Sequence, residues 1–324
     1  MAKATSIAHP NIALIKYWGN RDDTLRLPSN GSISMTLADL ETRTRVEWHP
    51  EGVDSLTING GEVTGDGLKR ASEFLDLVRQ MAGFNLRAEV TSENNFPTGA
   101  GIASSSSAFA ALAMAATCAA GLELTEAELS RLARRGSGSA CRSIPGGFVE
   151  WTAGTSDLDS FAFTLASPDY WSLVDCIAII NDAHKDIGST LGHALASTSP
   201  LQSSRLADSS RRLSLCREAI LTRDFEALAE IAELDSTLMH AVMMTSTPPL
   251  FYWGESTLPI VKLIRESRSH GLPAFTTIDA GPNVHVICNQ GALPEVLDLL
   301  RQIPHILEVK TCGVGGPTHS IEAN

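Results

Sequence analysis

Phe96-Pro-Thr-Gly-Ala-Gly-Ile-Ala-Ser-Ser-Ser-Ser-Ala108 places two glycines and four consecutive hydroxyl side chains directly before an alanine-rich segment. Glycine allows backbone conformations that a Cβ atom obstructs, and the free N–H groups at a helix start attract anions. The stretch therefore predicts a phosphate-binding loop followed by a helix that ends near Gly121. It matches neither G-x-x-x-x-G-K-[ST] nor G-x-G-x-x-G, which argues against a P-loop kinase and a Rossmann dehydrogenase. Taken alone, the same residues also fit a turn that caps a core helix.

The charge balance of the chain restricts its partners. Among 324 residues, 25 Lys and Arg stand against 37 Asp and Glu, for a formal net charge of −12. Such a balance repels nucleic acid and anionic membranes, so we expect a small-molecule ligand and neither of those partners. The sequence contains no signal-peptide core and no apolar stretch of membrane-spanning length, which predicts a cytoplasmic protein. Six cysteines without a C-x-x-C pair are expected to be buried thiols.

Hydrophobic periodicity predicts strands in clusters and helices in clusters, without regular alternation. The expected strands are 42–48, 86–91, 173–181, 274–278, 284–288 and 306–310. The expected helices are 68–82, 104–121, 125–136, 204–221, 225–243, 257–270 and 292–302. This order favours an α+β fold, with sheets covered by helices, over a doubly wound parallel sheet. The length suits two lobes, which we place at 1–182 and 183–324.

Three charged side chains lie in segments that favour chemistry. Lys16 interrupts an apolar run, where a lysine either reaches solvent or meets an anion. Arg142 lies in a glycine-serine loop and offers a planar fork for a carboxylate or phosphate, although it also fits a surface arginine. Asp279 ends an apolar strand before a Gly-Pro turn, where aspartate is also a common local hydrogen-bonder. With the phosphate loop, these residues indicate phosphoryl transfer from a nucleotide to a small acidic alcohol.

Four segments together resemble a known family. Residues 11–19 (NIALIKYWG), 96–105, 136–142 (GSGSACR) and 278–283 (IDAGPN) are similar to the signature segments of the mevalonate diphosphate decarboxylases. That family is a branch of the galactokinase, homoserine kinase, mevalonate kinase and phosphomevalonate kinase superfamily. The resemblance covers nearly the whole chain in the correct order. It implies the two-lobed small-molecule kinase fold, with a ribosomal-protein-S5-like N-terminal ATP-binding lobe, a ferredoxin-like C-terminal lobe and frequently a homodimer.

The resemblance also implies a reaction and the residues that carry it. ATP and Mg²⁺ phosphorylate the C3 hydroxyl of a phosphorylated mevalonate; that phosphate then leaves and carbon dioxide is lost. Asp279 would orient or deprotonate the hydroxyl, Arg142 would hold the carboxylate, and Lys16 would support the charge. The other implied contacts are Tyr17 and Ser189 with the substrate phosphate, Ser137 and Ser139 with the rest of the substrate, and Pro97, Gly99, Gly101, Ser104, Ser105 and Ser106 with ATP. We also expect Asn20 and Lys185 in the substrate site.

One position departs from the family pattern. Members that use the diphosphate usually read Tyr-Trp-Gly-Lys, whereas this chain has Asn20 in place of the lysine. A missing cation removes charge-assisted hydrogen bonds worth roughly 1.5 to 3 kcal/mol each. We therefore expect mevalonate 5-phosphate as substrate and isopentenyl phosphate as product, unless Arg21 or Lys185 replaces the charge and the diphosphate is used. A kinase that stops at the 3-phosphate and a non-catalytic sensor are further alternatives, which Arg142 and Asp279 respectively oppose.

Overall fold

The computed structural model describes residues 3–96, 104–180 and 188–323. In chain order its strands are β1 (Lys3–Ala8), β2 (Asn11–Ile15), β3 (Asn20–Asp22), β4 (Leu27–Pro28), β5 (Ser32–Thr36), β6 (Thr42–His49), β7 (Ser55–Ile58), β8 (Gly61–Glu62), β9 (Arg87–Asn94), β10 (Phe148–Trp151), β11 (Ala162–Ala166), β12 (Leu173–Ile179), β13 (Ala274–Thr277), β14 (Val284–Asn289), β15 (Glu308–Cys312) and β16 (His319–Ala323).

The α-helices are α1 (Gly65–Ala82), α2 (Ser104–Ala119), α3 (Glu126–Gly136), α4 (Ser189–Leu195), α5 (Gln202–Ala207), α6 (Ser209–Thr222), α7 (Phe225–Met244), α8 (Thr257–Ser269) and α9 (Leu293–Leu300). The predicted α+β class is confirmed. The helix predicted at 204–221 is instead two helices, α5 and α6, with Asp208 between them. No helix in the described part of the chain is long and apolar enough to span a membrane.

The first sheet is six-stranded, in the order β16-β1-β6-β9-β7-β8. Its pairs are antiparallel except β7 with β9. Strand β6 alternates buried and less buried residues along its length, as expected for a sheet with one face on a core. Helix α2 packs on that face against β1 and β6. Its alanines, which are almost all buried, let the helix approach the sheet closely.

Two four-stranded sheets follow, in the orders β11-β10-β5-β2 and β13-β14-β12-β15. A shared core of aliphatic and aromatic side chains from both sheets and from α6 and α7 joins them. A separate core lies between the second of these sheets and helices α8 and α9. Strand β16 returns from the end of the chain to pair with β1. The division at residue 182 stays a prediction.

These elements bring three chain segments to one place. Strand β2 passes directly into Lys16, whose backbone N–H donates to the buried carboxylate of Asp235 on α7, at 2.6 Å. Arg212 on α6 donates to the other oxygen of Asp235, at 2.7 Å. A 3-10 turn at Gly138–Ser143 follows α3, and the loop 278–283 joins β13 to β14. Buried polar contacts therefore fix the end of β2 against the helical layer.

Candidate active site

A central cavity of about 530 Å³ lies where these segments meet. Its described lining includes eight of the predicted site residues: Lys16, Tyr17, Ser104, Ser105, Ser139, Arg142, Ser189 and Asp279. Ser137 adjoins the lining, because its hydroxyl lies 3.2 Å from that of Ser105. Ser106 is buried within α2 and is not part of the lining. Pro97, Gly99, Gly101 and Lys185 lie outside the described residues.

Lys16 and Asp279 form an ion pair in the cavity wall. The Lys16 Nζ atom lies 2.6 Å from Asp279 Oδ1. The lysine side chain is 1% exposed and the aspartate side chain 26%, so the carboxylate faces the cavity with the ammonium behind it. Burial acts to raise the pKa of Asp279, but the opposing charges, Lys16 first, keep it below its ordinary value. Asp279 is therefore an ionised carboxylate able to accept a hydrogen bond or a proton.

Arg142 presents a buried cation to the same cavity. Its Nε atom donates to Asn11 Oδ1 at 3.2 Å, and its Nη1 atom donates to the Ser32 hydroxyl at 2.7 Å. These two neutral partners fix the guanidinium plane. No carboxylate of the described residues forms an ion pair with Arg142, although burial leaves it only 3% exposed. Burial also lowers its pKa from the ordinary arginine value.

Other buried arginines of the protein differ from Arg142 in this respect. Arg79, Arg134 and Arg212 each form an ion pair with an aspartate. Burying a charge is unfavourable unless it is paired, because the low-polarity interior solvates a charge less well than water does. Among the described residues, the Arg142 guanidinium therefore has no anionic partner such as its counterparts have, and it lies where a ligand can supply one.

The end of the cavity beside helix α2 combines hydroxyls with a second cation. Ser104 and Ser105 begin α2 and line the cavity with Arg70. The Arg70 guanidinium lies 4.7 Å from the centroid of the Phe109 ring and donates to the Gly136 carbonyl at 2.7 Å. Its Nε atom is buried without a hydrogen-bond partner among the described residues. Hydroxyls, a helix start and an incompletely satisfied cation suit a polyphosphate.

The part of the cavity beside helix α4 is built on Tyr17. Its ring packs so closely on Gly138 that a Cβ atom there would lie 2.5 Å from the phenol oxygen. The Tyr17 hydroxyl donates to the side-chain oxygen of Asn20. The Asn20 amide nitrogen in turn donates to Asp23, at 2.8 Å. The predicted substrate contact Asn20 is thus held by two protein partners and is not among the residues lining the cavity.

Two ionisable residues of the described cavity lining, Arg70 and His193, were not predicted from the sequence. Arg70 lies on α1, whose periodicity identifies only its core-facing positions. His193 lies on α4, and its ring stacks on Tyr17 with centroids 4.1 Å apart. No local pattern marks either residue, since each joins the cavity through partners distant in sequence.

The described residues contain no cluster of three or more His, Cys, Asp or Glu side chains suited to a metal ion. Magnesium in phosphoryl-transfer sites is commonly held by one or two carboxylates together with the substrate phosphates. The site thus fits an ion that arrives on a polyphosphate better than an ion held in a protein cage. Asp279 is the carboxylate of the described cavity lining.

Comparisons with known proteins agree along the whole chain. Residues 8–162 match the diphosphomevalonate decarboxylase-like N-terminal domain, and residues 176–318 match the mevalonate 5-diphosphate decarboxylase C-terminal domain. A diphosphomevalonate decarboxylase of Candida albicans is 38% identical, over 96% of this chain and 91% of that relative. A phosphomevalonate decarboxylase of Haloferax volcanii is 34% identical, over 99% of this chain and 98% of that relative.

Solved structures give the same result. A structure described as MDDEF in complex with MVAPP, AMPPCP and magnesium superposes with a TM-score of 0.93. It is 39% identical in sequence, and the alignment covers 99% of each chain. The similarity therefore extends over the whole fold.

Proposed function

Because this chain belongs to the mevalonate diphosphate decarboxylase family, we propose that it is an ATP-dependent decarboxylase of a 5-phosphorylated mevalonate in isoprenoid synthesis. The observation that carries the proposal is the buried Arg142 guanidinium, which has no carboxylate partner among the described residues. A mevalonate carboxylate would supply the anion that the described residues do not provide for this cation. Asp279 lies in the same wall, where the C3 hydroxyl of that substrate would face it.

The described residues divide the reaction between them. ATP, with magnesium on its phosphates, supplies the phosphoryl group that is transferred to the C3 hydroxyl oxygen. Asp279 orients that hydroxyl and takes its proton, while Lys16 keeps the carboxylate ionised until the transfer. The C3–O bond then breaks and phosphate leaves with the bonding electrons. Arg142 holds the carboxylate while the bond between that group and the rest of the substrate breaks. The electrons of this C–C bond form the double bond of the product as carbon dioxide departs.

The nucleotide is assigned to the cavity end beside helix α2. Ser104, Ser105 and Arg70 supply hydroxyls and a cation there, in a chain that is acidic overall. The solved structure with AMPPCP and magnesium supports the same cofactors for this chain. A homodimer and a cytoplasmic location are further parts of the proposal, and they rest on the family resemblance and the sequence.

We propose mevalonate 5-phosphate as the preferred substrate, with isopentenyl phosphate as product. Asn20 supports this choice because its amide carries no charge and donates to Asp23, whose carboxylate would repel a second phosphate. Arg21 provides no obvious replacement, since it is exposed and donates to the Ala153 carbonyl. The Haloferax volcanii relative, named as a phosphomevalonate decarboxylase, is consistent with this substrate.

One observation favours the diphosphate as a second candidate. The Arg26 guanidinium lies close enough to His193 to help lower the pKa of that imidazole. A cation at this distance also attracts a terminal phosphate, and so could replace the missing lysine. Most of the named relatives are diphosphomevalonate decarboxylases. The two substrates therefore need a direct comparison.

The experiment measures ADP and carbon dioxide release with mevalonate 5-phosphate and with mevalonate 5-diphosphate, at matched concentrations. We expect a higher kcat/KM with the monophosphate. In Asn20→Lys, the kcat/KM for the diphosphate should rise by about tenfold or more, because the new ammonium supplies charge-assisted hydrogen bonds. Arg26→Leu is the companion variant, and a selective loss of diphosphate turnover in it would favour the second candidate.

Each alternative predicts its own result in this assay. A preference of the wild-type enzyme for the diphosphate would contradict the monophosphate proposal and leave the decarboxylase family intact. ADP release without carbon dioxide would identify a 3-kinase. Nucleotide binding without ADP release would identify a sensor.

A further inference from the structure

We propose that His193 is the residue that recognises the 5-phosphoryl group of the substrate, acting as a neutral hydrogen-bond donor through Nε2. The inference rests on the proposed decarboxylase function, whose substrate carries a phosphoryl group at C5. It adds a specificity-determining residue in the cavity wall beside helix α4. Four observations carry it: the position of the ring, its tautomer, its electrostatic surroundings and the chemistry left at position 20.

Aromatic packing fixes the position of the His193 ring. The ring stacks on Tyr17 with centroids 4.1 Å apart and an interplanar angle of 27°. It also lies against Trp18, with centroids 4.6 Å apart. His193 lines the central cavity together with Ser189, which begins the same helix. The imidazole is therefore held rigidly in the cavity wall beside α4.

A backbone contact fixes the tautomer of the ring. The Gly19 N–H donates to His193 Nδ1 at 3.0 Å, which requires a lone pair on that nitrogen. A neutral imidazole carries one proton, so the proton must lie on Nε2. Nε2 has no hydrogen-bond partner among the described residues. The ring thus offers one N–H donor to a ligand, and its other nitrogen is already used.

The surroundings of His193 favour an anion and keep the ring neutral. Burial, together with the guanidinium groups of Arg26, Arg142 and Arg205, lowers the pKa of His193 to about 3. The same three cations stabilise a phosphate that accepts from Nε2. Protonation is further opposed by the Gly19 N–H, since a proton on Nδ1 would face another donor. The imidazole therefore remains a donor of constant charge across the neutral pH range.

A single neutral donor matches one phosphoryl group better than two. Asn20 is uncharged and bonded to Tyr17 and Asp23, and the one lysine of the described cavity lining, Lys16, is paired with Asp279. His193 can donate one hydrogen bond to a 5-phosphoryl oxygen, and the positive charge of the neighbouring guanidinium groups attracts the phosphate. A hydrogen bond from His193 and the positive charge of the guanidinium groups would together bind the phosphate of the substrate without the family lysine.

Two substitutions separate the donor at Nε2 from the acceptor at Nδ1. His193→Gln places an amide N–H near the position of Nε2 but removes the acceptor of the Gly19 N–H. His193→Asn keeps an acceptor near Nδ1 but does not reach the position of Nε2. The inference predicts that Asn raises the Kd of mevalonate 5-phosphate about tenfold or more, whereas Gln stays within about threefold. A purely structural role as the acceptor of the Gly19 N–H predicts the reverse order.

The measurement is calorimetric binding of mevalonate 5-phosphate and of unphosphorylated mevalonate, with thermal melting to verify folding. The loss in His193→Asn should appear with the phosphate ester and be absent with mevalonate, while the KM for ATP stays unchanged in both variants. His49→Asn serves as a control histidine, since it lies at the end of β6 outside the cavity lining.

Equal losses in both variants, a loss confined to His193→Gln, or an equal loss with mevalonate would overturn the role of His193. The result is separable from failure of the proposed function. If the wild-type enzyme prefers the diphosphate, the same comparison is made with that substrate, because it also carries a 5-phosphoryl group. If the wild-type enzyme decarboxylates neither, the function fails while the binding comparison still tests His193.

Discussion

Replacing Asp279 by asparagine tests whether this carboxylate takes the proton of the substrate hydroxyl. The amide keeps the size of the side chain and an oxygen that can accept from Lys16 Nζ, which lies 2.6 Å away in the ion pair. It cannot accept a proton. General-base catalysis contributes about 10² to 10⁴ in rate, so we expect kcat to fall by that factor. This corresponds to about 3 to 5 kcal/mol of activation free energy.

The same substitution has a cost in stability that must be separated from its effect on catalysis. It leaves Lys16, which is 1% exposed, without its counter-ion. Removing one partner of a buried ion pair costs about 3 to 5 kcal/mol. Here we expect about 3 kcal/mol or less, because Asp279 is partly open to solvent and the amide oxygen still accepts. Lys16 can also release its proton, since burial already lowers its pKa.

Asp157→Asn is the matched control for this prediction. It removes the carboxylate partner of another buried cation, Arg134, at a position outside the cavity lining. The control should lose stability in thermal melts and retain kcat. ADP and carbon dioxide release at saturating substrates measure catalysis, and calorimetry measures ATP binding, which should be near normal. An Asp279→Asn enzyme with a kcat within threefold of wild type would refute the proposed role of the carboxylate.

Two further predictions follow from the same geometry. Gly138→Ala should raise the KM of the phosphorylated substrate, because the new Cβ atom would lie 2.5 Å from the Tyr17 hydroxyl oxygen and displace that ring. Gly291→Ala, which meets no atom within 4 Å, should leave the KM unchanged. Lys16→Met should move the acidic fall in kcat to higher pH: Lys16 holds the pKa of Asp279 below its ordinary value, so the variant carboxyl protonates sooner as pH falls. A pH–rate profile that does not shift would contradict this coupling.

The sequence predicted best those elements with one face on a core. Strand β6 alternates, and helix α3, predicted at 125–136, begins with a capping box: Glu128 N–H donates to Thr125 Oγ1, and Thr125 N–H donates to Glu128 Oε2. Strand β2 was not predicted because all five of its residues are buried, which leaves no alternation to detect. The break between α5 and α6 was also missed.

Site residues, like secondary-structure elements, could be predicted where the local sequence shows a pattern. Lys16, Arg142 and Asp279 were found because each interrupts a local pattern: a cation in an apolar run, a cation among glycines, a carboxylate at a strand end. His193 interrupts no such pattern, and the Gly19 N–H that fixes its tautomer lies 174 residues away in sequence. A residue whose chemistry is set by distant partners becomes visible only when the fold brings those partners together.

The charges around Asp279 have to serve two opposite requirements. The carboxylate must be ionised to accept a proton, yet both ligands that approach it are anionic and work against its ionisation. In the proposed reaction, Lys16, 2.6 Å behind the carboxylate, maintains the charge before the ligands bind, and Arg142 neutralises the carboxylate of the substrate. Once the ligands are bound, their negative charge raises the affinity of Asp279 for a proton, and the base becomes stronger at the moment the hydroxyl loses its proton. The locally cationic cavity in a chain of net charge −12 suits the proposed reaction, because its cations oppose the rise in the pKa of Asp279 that bound anions would cause.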